Sequence, residues 1–240
     1  MRKIFIDGGA NKGQSTDKFI ENTPSSEDFE IFMIEPLKSC ESNIQNVLDK
    51  YENYNINYFP NAVWINEGEL KITYNSDCTE SAGIVFKKKS HHKEHLTKTL
   101  HLSKWIKENF DQNDYIILKL DIEGAEYNVV EDLYRTDMLN YINEFHGELH
   151  GSKKGFNIND DLMLIERLKK YDLDIHHWNG SNSSKGVTED GIKGAPYTSE
   201  AIESEYKKWE SRGNGVVKPE WDKLEQYRNN YKEWYDENME

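Results

Sequence analysis

The segment "YIILKLDIEGAEY" (Tyr115–Tyr127) carries an apolar run into Asp121, Glu123 and Glu126, with Gly124 at the bend. Like charges spaced this closely repel, so they are costly to assemble unless a cation or an acid–base role uses them. The preceding strand formers place Asp121 at a strand's carboxyl end. Glu126 falls in the first turn of the helix predicted to follow, where the helix dipole favours an acid. It reads as helix-start stabilisation, and Asp121 as the functional acid. Downstream, "EFHGELHG" (Glu144–Gly151) supplies partners. Alternate residues of a strand share a face, so His146, Glu148 and His150 point the same way if the strand runs that far. Glu148 and His150 then arrive beside Asp121, while His146 reads as a packed histidine. A free Asp, with a pKa of about 3.9, is a weak base. Taking a proton from a hydroxyl requires a raised pKa, a neighbouring histidine or a metal that acidifies the acceptor. Two arrangements satisfy this. In one, His150 is the general base, oriented by Glu148 or Asp121. In the other, Asp121 with Glu148 or His150 holds a divalent cation, Mg²⁺ or Mn²⁺.

A second constellation lies at the start of the chain. "KIFIDGGANKGQST" (Lys3–Thr16) sends a strand into a glycine turn that opens a helix, a device for close backbone approach to a ligand. Three ligands compete for it. A phosphate-binding loop needs Gly-Lys-Ser/Thr at its close, but Gly13 precedes Gln14. A dinucleotide fingerprint drawn as Gly8-x-Ala10-x-x-Gly13 has alanine where the pyrophosphate needs glycine. The spacing Asp7-x-Gly9-x-Asn11-x-Gly13 puts an acid at the strand end, which suits a ligand with an ammonium group and no phosphate, such as S-adenosylmethionine. Next, "FMIEP" ends a strand on Glu35, roughly the twenty or so residues downstream at which an acid accepts both ribose hydroxyls.

These residues need a scaffold that brings strand ends together. Strands are predicted at Lys3–Asp7, Glu30–Pro36, Ile56–Trp64, Tyr115–Asp121, Tyr141–His150 and Leu173–Trp178. Leu70–Asn75 reads as an extended excursion or hairpin arm. Helices are predicted at Gln14–Asn22, Ser39–Lys50, Leu100–Phe110, Ala125–Leu133 and Asp160–Tyr171. This alternation implies crossover connections, hence an α/β fold: a doubly wound, mostly parallel sheet with helices on both faces. A domain is drawn over residues 1–178. From Asn179 a Gly/Ser/Asn-rich loop leads into two polar helices carrying Trp and Tyr, so residues 179–240 read as an extension that serves as a substrate lid or an interface. Trp178, Tyr197, Trp209, Trp221 and Trp234 are candidates for stacking on a sugar face. Their helical or strand spacing fits core or interface better. His176 and His177 are neighbours in a strand and face opposite ways.

Composition bounds the function. Hydrophobic residues make up 36% of 240, enough for a core, beneath a surface reflecting 31% charged residues. No run approaches the roughly eighteen apolar residues of a membrane span, and a signal-peptide core is not apparent, so a soluble cytoplasmic protein is expected. The net charge of −14 opposes polyanions, making nucleic acid an improbable partner. The one basic cluster, "FKKKSHHKEH" (Phe86–His95), reads as a solvated loop or helix start. Its histidines lack a zinc-site frame. Cys40 and Cys78 read as small packing residues, in keeping with a reducing compartment.

Taken together, "FIDGGANKGQST", "FMIEP", "NAVW" with "LKIT", and "ILKLDIEGAEYNVVE" resemble the FkbM family of S-adenosylmethionine-dependent methyltransferases in order and spacing from residue 3 to about 150. The resemblance implies a Rossmann-like class I methyltransferase fold and O-methylation, typically of a sugar or polyketide-type hydroxyl. The acceptor is then a carbohydrate or glycoconjugate. It further implies that Asp7, Gly9, Asn11 and Gly13 cradle the methionine moiety, with Gly8 and Ala10 in the same cofactor-binding turn. Glu35 holds the ribose, Asn61 with Ala62 borders the adenine, and Asp121 lies beside the transferring methyl. The family's acid at the start of the helix before the central strand is Ser103 here, a residue that still caps a helix. The tail beyond residue 178 has no counterpart. Two alternatives stand beside this reading. An NAD-dependent oxidoreductase is opposed by Ala10 and Asp7, and a non-catalytic methyltransferase-like module by retention of Asp121, Glu123, Glu148 and His150.

Overall fold

The computed structural model describes residues 1–74, 93–150, 158–178 and 193–211. Ten strands are found among them: β1 (Lys3–Gly8), β2 (Phe29–Ile34), β3 (Asn55–Phe59), β4 (Ala62–Trp64), β5 (Gly68–Tyr74), β6 (Lys93–His101), β7 (Tyr115–Leu120), β8 (Glu144–Gly147), β9 (Ile175–Trp178) and β10 (Lys193–Pro196). The helices are α1 (Gln14–Asn22), α2 (Glu41–Lys50), α3 (Leu102–Asn109), α4 (Glu126–Arg135), α5 (Ile158–Lys169) and α6 (Ser199–Ser211). Seven strands form one sheet in the order β10-β9-β8-β7-β1-β2-β3, parallel throughout except for β10 on the edge.

The strand sequences explain this arrangement. β7 (YIILKL) is buried at all but its first residue, as an interior parallel strand covered on both faces must be. In β1, Ile4 and Ile6 face a core shared with Leu102, Ile106, Leu118 and Leu133, while Phe5 faces the other way against Ile31, Ile44 and Ile117. The sheet therefore has an apolar layer on each side, one under α3, α4 and α5 and one under α1 and α2. Phe5 stacks on Phe19 of α1 with ring centroids 4.0 Å apart and on Trp178 of β9 at 5.6 Å. Trp178 is thus core material and is not available to stack on a sugar.

The strand expected over Ile56–Trp64 is broken in two. Pro60 has no amide to donate, and Asn61 N–H turns back onto the Phe59 carbonyl at 2.9 Å. The chain then leaves the main sheet, and β4 joins a three-stranded sheet ordered β4-β6-β5. The extended reading of Leu70–Asn75 becomes β5, paired antiparallel with β6 from Gly68↔Thr99 to Tyr74↔Lys93. β6 replaces the loop or helix start expected near His95. Its alternation is period two: Thr97 and Thr99 are buried while Leu96 and Lys98 are exposed. The helix expected from Leu100 accordingly begins at Leu102. The remainder of the basic cluster, with His91, His92 and Cys78, lies outside the described residues.

The sheet does not end at Trp178. β10 pairs antiparallel with β9, and α6 packs on α5 with Ile202 in the core. Trp221 and Trp234 fall outside the described residues.

Candidate active site

All strand ends that matter lie along one edge. β1 sits between β2 and β7, so the chain fills one side of β1 first and then crosses to the other. Strand order reverses there, and in open parallel sheets the ligand crevice lies outside the carboxyl ends at such a point. The glycine turn after β1, Glu35 after β2, Asn61 after β3, Asp121 after β7 and Glu148 with His150 after β8 all converge on it.

The turn is held from within. Gly9 and Ala10 amides donate to the Ile34 carbonyl at 2.9 and 3.1 Å, and Gly13 N–H donates to the Ala10 carbonyl at 2.7 Å. Asn11 N–H donates to Glu35 Oε2 at 2.9 Å and Lys12 N–H to Gln14 Oε1 at 3.0 Å. Every amide from Gly9 to Gly13 is thus engaged inside the chain. Gly9 has φ 77°, and a Cβ there would lie 2.0 Å from the Asp121 carbonyl oxygen, so the turn and the end of β7 abut with no room for a side chain. Gly13, with φ 84°, caps α1 against Val47 and Met33.

Beneath the turn lies an ion pair that sequence reasoning missed. Asp7 and Lys119 are opposite one another in the β1–β7 register, and both are fully buried. Lys119 Nζ stands 3.1 Å from Asp7 Oδ1, donates to the Gly9 carbonyl at 2.9 Å, and reaches within 4.0 Å of Asp121 Oδ2. Thr16 Oγ1 donates to the other Asp7 oxygen at 2.8 Å. Burial works to lower the Lys119 pKa, but the carboxylates of Asp7, Asp121 and Glu35 outweigh it and hold the amine charged. The expectation that Asp7 itself cradles a methionine moiety is therefore corrected. Its carboxylate faces inward, and it shapes the turn through Thr16 and Lys119.

Glu35 sits one residue beyond β2, buried, with Oε1 accepting Leu37 N–H at 2.9 Å. Burial raises its pKa, and the Leu37 and Asn11 amides and Lys119 oppose the rise. Asn61 is half-buried where β3 gives way to β4, and Ala62 is buried beside it.

The opposite wall carries most of the titratable chemistry. β8 stops at Gly147, so face alternation does not extend to His150; an irregular segment delivers it instead. His150 is 2% exposed. Its Nδ1 lies 3.1 Å from Glu126 Oε1, and Nε2 lies 3.7 Å from Asp121 Oδ1, 3.7 Å from Glu123 Oε2 and 3.9 Å from Glu148 Oε2. Glu126 also accepts the amides of Ile122 and Gly124, both at 2.7 Å. It fixes the loop and the ring together, a larger role than helix-start stabilisation. Burial alone lowers the His150 pKa, but Glu126, Glu123 and Asp121 overcome it and raise it to about 9. The surrounding carboxylates thus favour the charged ring, and His150 becomes available as a base or a ligand when a bound cation or ligand offsets them. Asp121 shifts the useful way: desolvation raises its carboxyl, although Lys119 and His150 pull downward.

A family model described as Methyltransferase FkbM domain matches residues 7–173. The chain belongs to the FkbM methyltransferase family. The crystal structure of Methyltransferase FkbM from Methylobacillus flagellatus KT is 22% identical, with a TM-score of 0.37; the match covers 56% of this chain and 30% of that one. No curated protein matches.

Within this FkbM chain the remaining candidates contact other side chains. His146 is buried edge-on to Trp178 at 5.4 Å, and His177 stacks on Tyr197 at 3.6 Å. Ser103, in place of the family's acid, contacts the His101 ring at 3.0 Å. Cys40 is buried, its Sγ 3.7 Å from Asn11 Oδ1. Among the described residues no helix is long and apolar enough to cross a membrane.

Proposed function

We propose that the protein transfers a methyl group from S-adenosylmethionine to a hydroxyl of a sugar or glycoconjugate. The observation that carries the cofactor reading is the turn whose amides, Gly9 through Gly13, are all spent inside the chain. A pyrophosphate needs such amides turned toward it, so the arrangement opposes a dinucleotide or nucleoside triphosphate. The donor set fits the sulfonium cofactor instead: Glu35 to accept from ribose hydroxyls, Asn61 at the adenine end, and a carboxylate-rich wall complementary to a cation. When bound, the cofactor supplies an electrophilic methyl. The chain's part is alignment and proton removal. Gly9, Ala10 and Asn11 form the floor, and Lys119 fixes that floor relative to Asp121. Asp121 takes the acceptor's proton, with its basicity improved by desolvation. A divalent cation, Mg²⁺ or Mn²⁺, at this wall would lower the acceptor hydroxyl's pKa and share that work.

The acceptor reading rests on the same wall. Carboxylates at Asp121, Glu123 and Glu148 accept hydrogen bonds from neutral hydroxyls and repel phosphorylated or polyanionic substrates. A cytoplasmic site of action fits a chain with only two cysteines. The test is acceptor-dependent release of S-adenosylhomocysteine, followed by mass spectrometry of the product, across neutral sugars, glycoconjugates and nucleic acid. Methylation of a neutral carbohydrate is expected. Turnover only on nucleic acid or protein would overturn the acceptor class.

A further inference from the structure

We propose that Asp121, Glu123 and His150 form a binding site for one first-row divalent cation, with Glu126 as the residue that aims His150 at it. This deepens the methyl-transfer reading and rests on it for its role, while its existence rests on geometry alone.

One ligand atom from each of the three residues lies within 4.8 Å of the other two. Two ligand atoms on opposite sides of a small divalent ion stand about 4.2 Å apart, at metal–ligand distances of about 2.1 Å. Closing the cluster onto an ion therefore takes contractions of less than an ångström at its widest point. The second observation is the imidazole. His150 is 2% exposed and held by Glu126 through Nδ1, while Nε2 faces the three carboxylates at ion-pair distances of 3.7–3.9 Å; a cation bound there takes the place of the Nε2 proton, which is released to solvent. A carboxylate behind one ring nitrogen, with the other directed into a ligand set, is the usual support for a metal-bound histidine. Glu126 is itself pinned by the Ile122 and Gly124 amides, so the ring's direction is fixed by the loop that carries Asp121 and Glu123.

The donor set also indicates the ion. Carboxylates alone suit Mg²⁺ or Ca²⁺, whereas an imidazole among them favours a first-row metal such as Mn²⁺ or Fe²⁺. Three protein ligands leave positions open for an acceptor oxygen. The sequence reading paired Asp121 with Glu148 or His150; this set keeps Asp121 and His150 and adds Glu123, while Glu148, farther from the ring nitrogen and 43% exposed, serves at the rim.

The test uses the full chain and Mn²⁺ alone, followed by calorimetry and by electron paramagnetic resonance. A single saturable site is expected, tighter for Mn²⁺ than for Mg²⁺, with nitrogen coupling from one imidazole in the pulsed spectrum. Glu123→Gln should weaken Mn²⁺ at least tenfold. Glu126→Gln touches no ion and should weaken it roughly 10- to 100-fold. Glu148→Gln should change it less than threefold. Binding of S-adenosylhomocysteine by each variant reports whether it has folded. Wild-type protein that binds S-adenosylhomocysteine but no Mn²⁺, or binds Mn²⁺ without nitrogen coupling, would overturn the metal site and leave the cofactor reading standing. Mn²⁺ binding without S-adenosylhomocysteine binding would do the reverse.

Discussion

The two walls of the crevice are built on opposite principles. On the turn side, each charge and donor finds its partner within the chain: Lys119 meets Asp7 and the Gly9 carbonyl, Thr16 caps Asp7, and Glu35 takes the Asn11 and Leu37 amides. On the far side, His150 faces Asp121, Glu123, Glu126 and Glu148, so carboxylates outnumber the cation among them. A wall that is complete by itself suits a ligand that is always the same, since preorganisation removes ordering costs at binding. A wall with surplus negative charge is balanced by what enters, whether a sulfonium, a metal ion or the proton leaving the acceptor.

This contrast can be broken from either side. Asp121→Ala on the far wall should produce the largest effect, lowering methyl transfer by roughly 10²- to 10⁴-fold, the contribution of a positioned acid–base group. Binding of S-adenosylhomocysteine should change far less, as initial rates beside calorimetry would show; near-normal turnover would refute the assignment. Lys119→Met leaves Asp7 buried without its counter-charge and should cost about 3–5 kcal/mol in denaturant unfolding. Adding Asp7→Leu should recover at least half of that, because removing both charges relieves what removing one creates. Gly9→Val forces a side chain onto the Asp121 carbonyl at a positive φ, and should weaken cofactor binding roughly a hundredfold through 1–3 kcal/mol of strain and a displaced turn. The smallest effect lies away from both walls. Burial pushes the Asp114 carboxyl up, but the Asp111 amide and the Arg2 side chain and amide outweigh it and hold it at about 2, below its ordinary 3.8. Its stabilisation is therefore complete above about pH 4 and lost as pH falls toward 2. Asp114→Asn should flatten the acid limb of the stability curve and leave the limb above neutrality unchanged.

The sequence discloses the turn side more fully than the far side, for a physical reason. Glycines at a strand end and an acid ending the next strand are local signals, so the turn and Glu35 were readable within the first forty residues. Lys119 was not, although it carried a signal: a lysine inside the apolar run "YIILKL" demands a buried counter-charge, and Asp7 was the acid at a matching strand position. His150 was readable as a candidate, but face alternation assumed a strand that stops at Gly147. Glu126 was underestimated because its link to His150 spans 24 positions, and nothing local announces it. The small sheet was hidden for the same reason. β5 and β6 pair across residues 75–92, and each alone reads as an isolated extended segment or a basic loop.

The central claim is that the crevice beside the glycine turn holds S-adenosylmethionine. Calorimetric titration of the purified protein with S-adenosylhomocysteine and, in parallel, with NAD⁺ tests it most directly. Micromolar binding of the former, weakened roughly a hundredfold in Gly9→Val, with no heat from the latter, is the predicted result. Binding of NAD⁺ with none of S-adenosylhomocysteine would contradict the account and return the crevice to a dinucleotide.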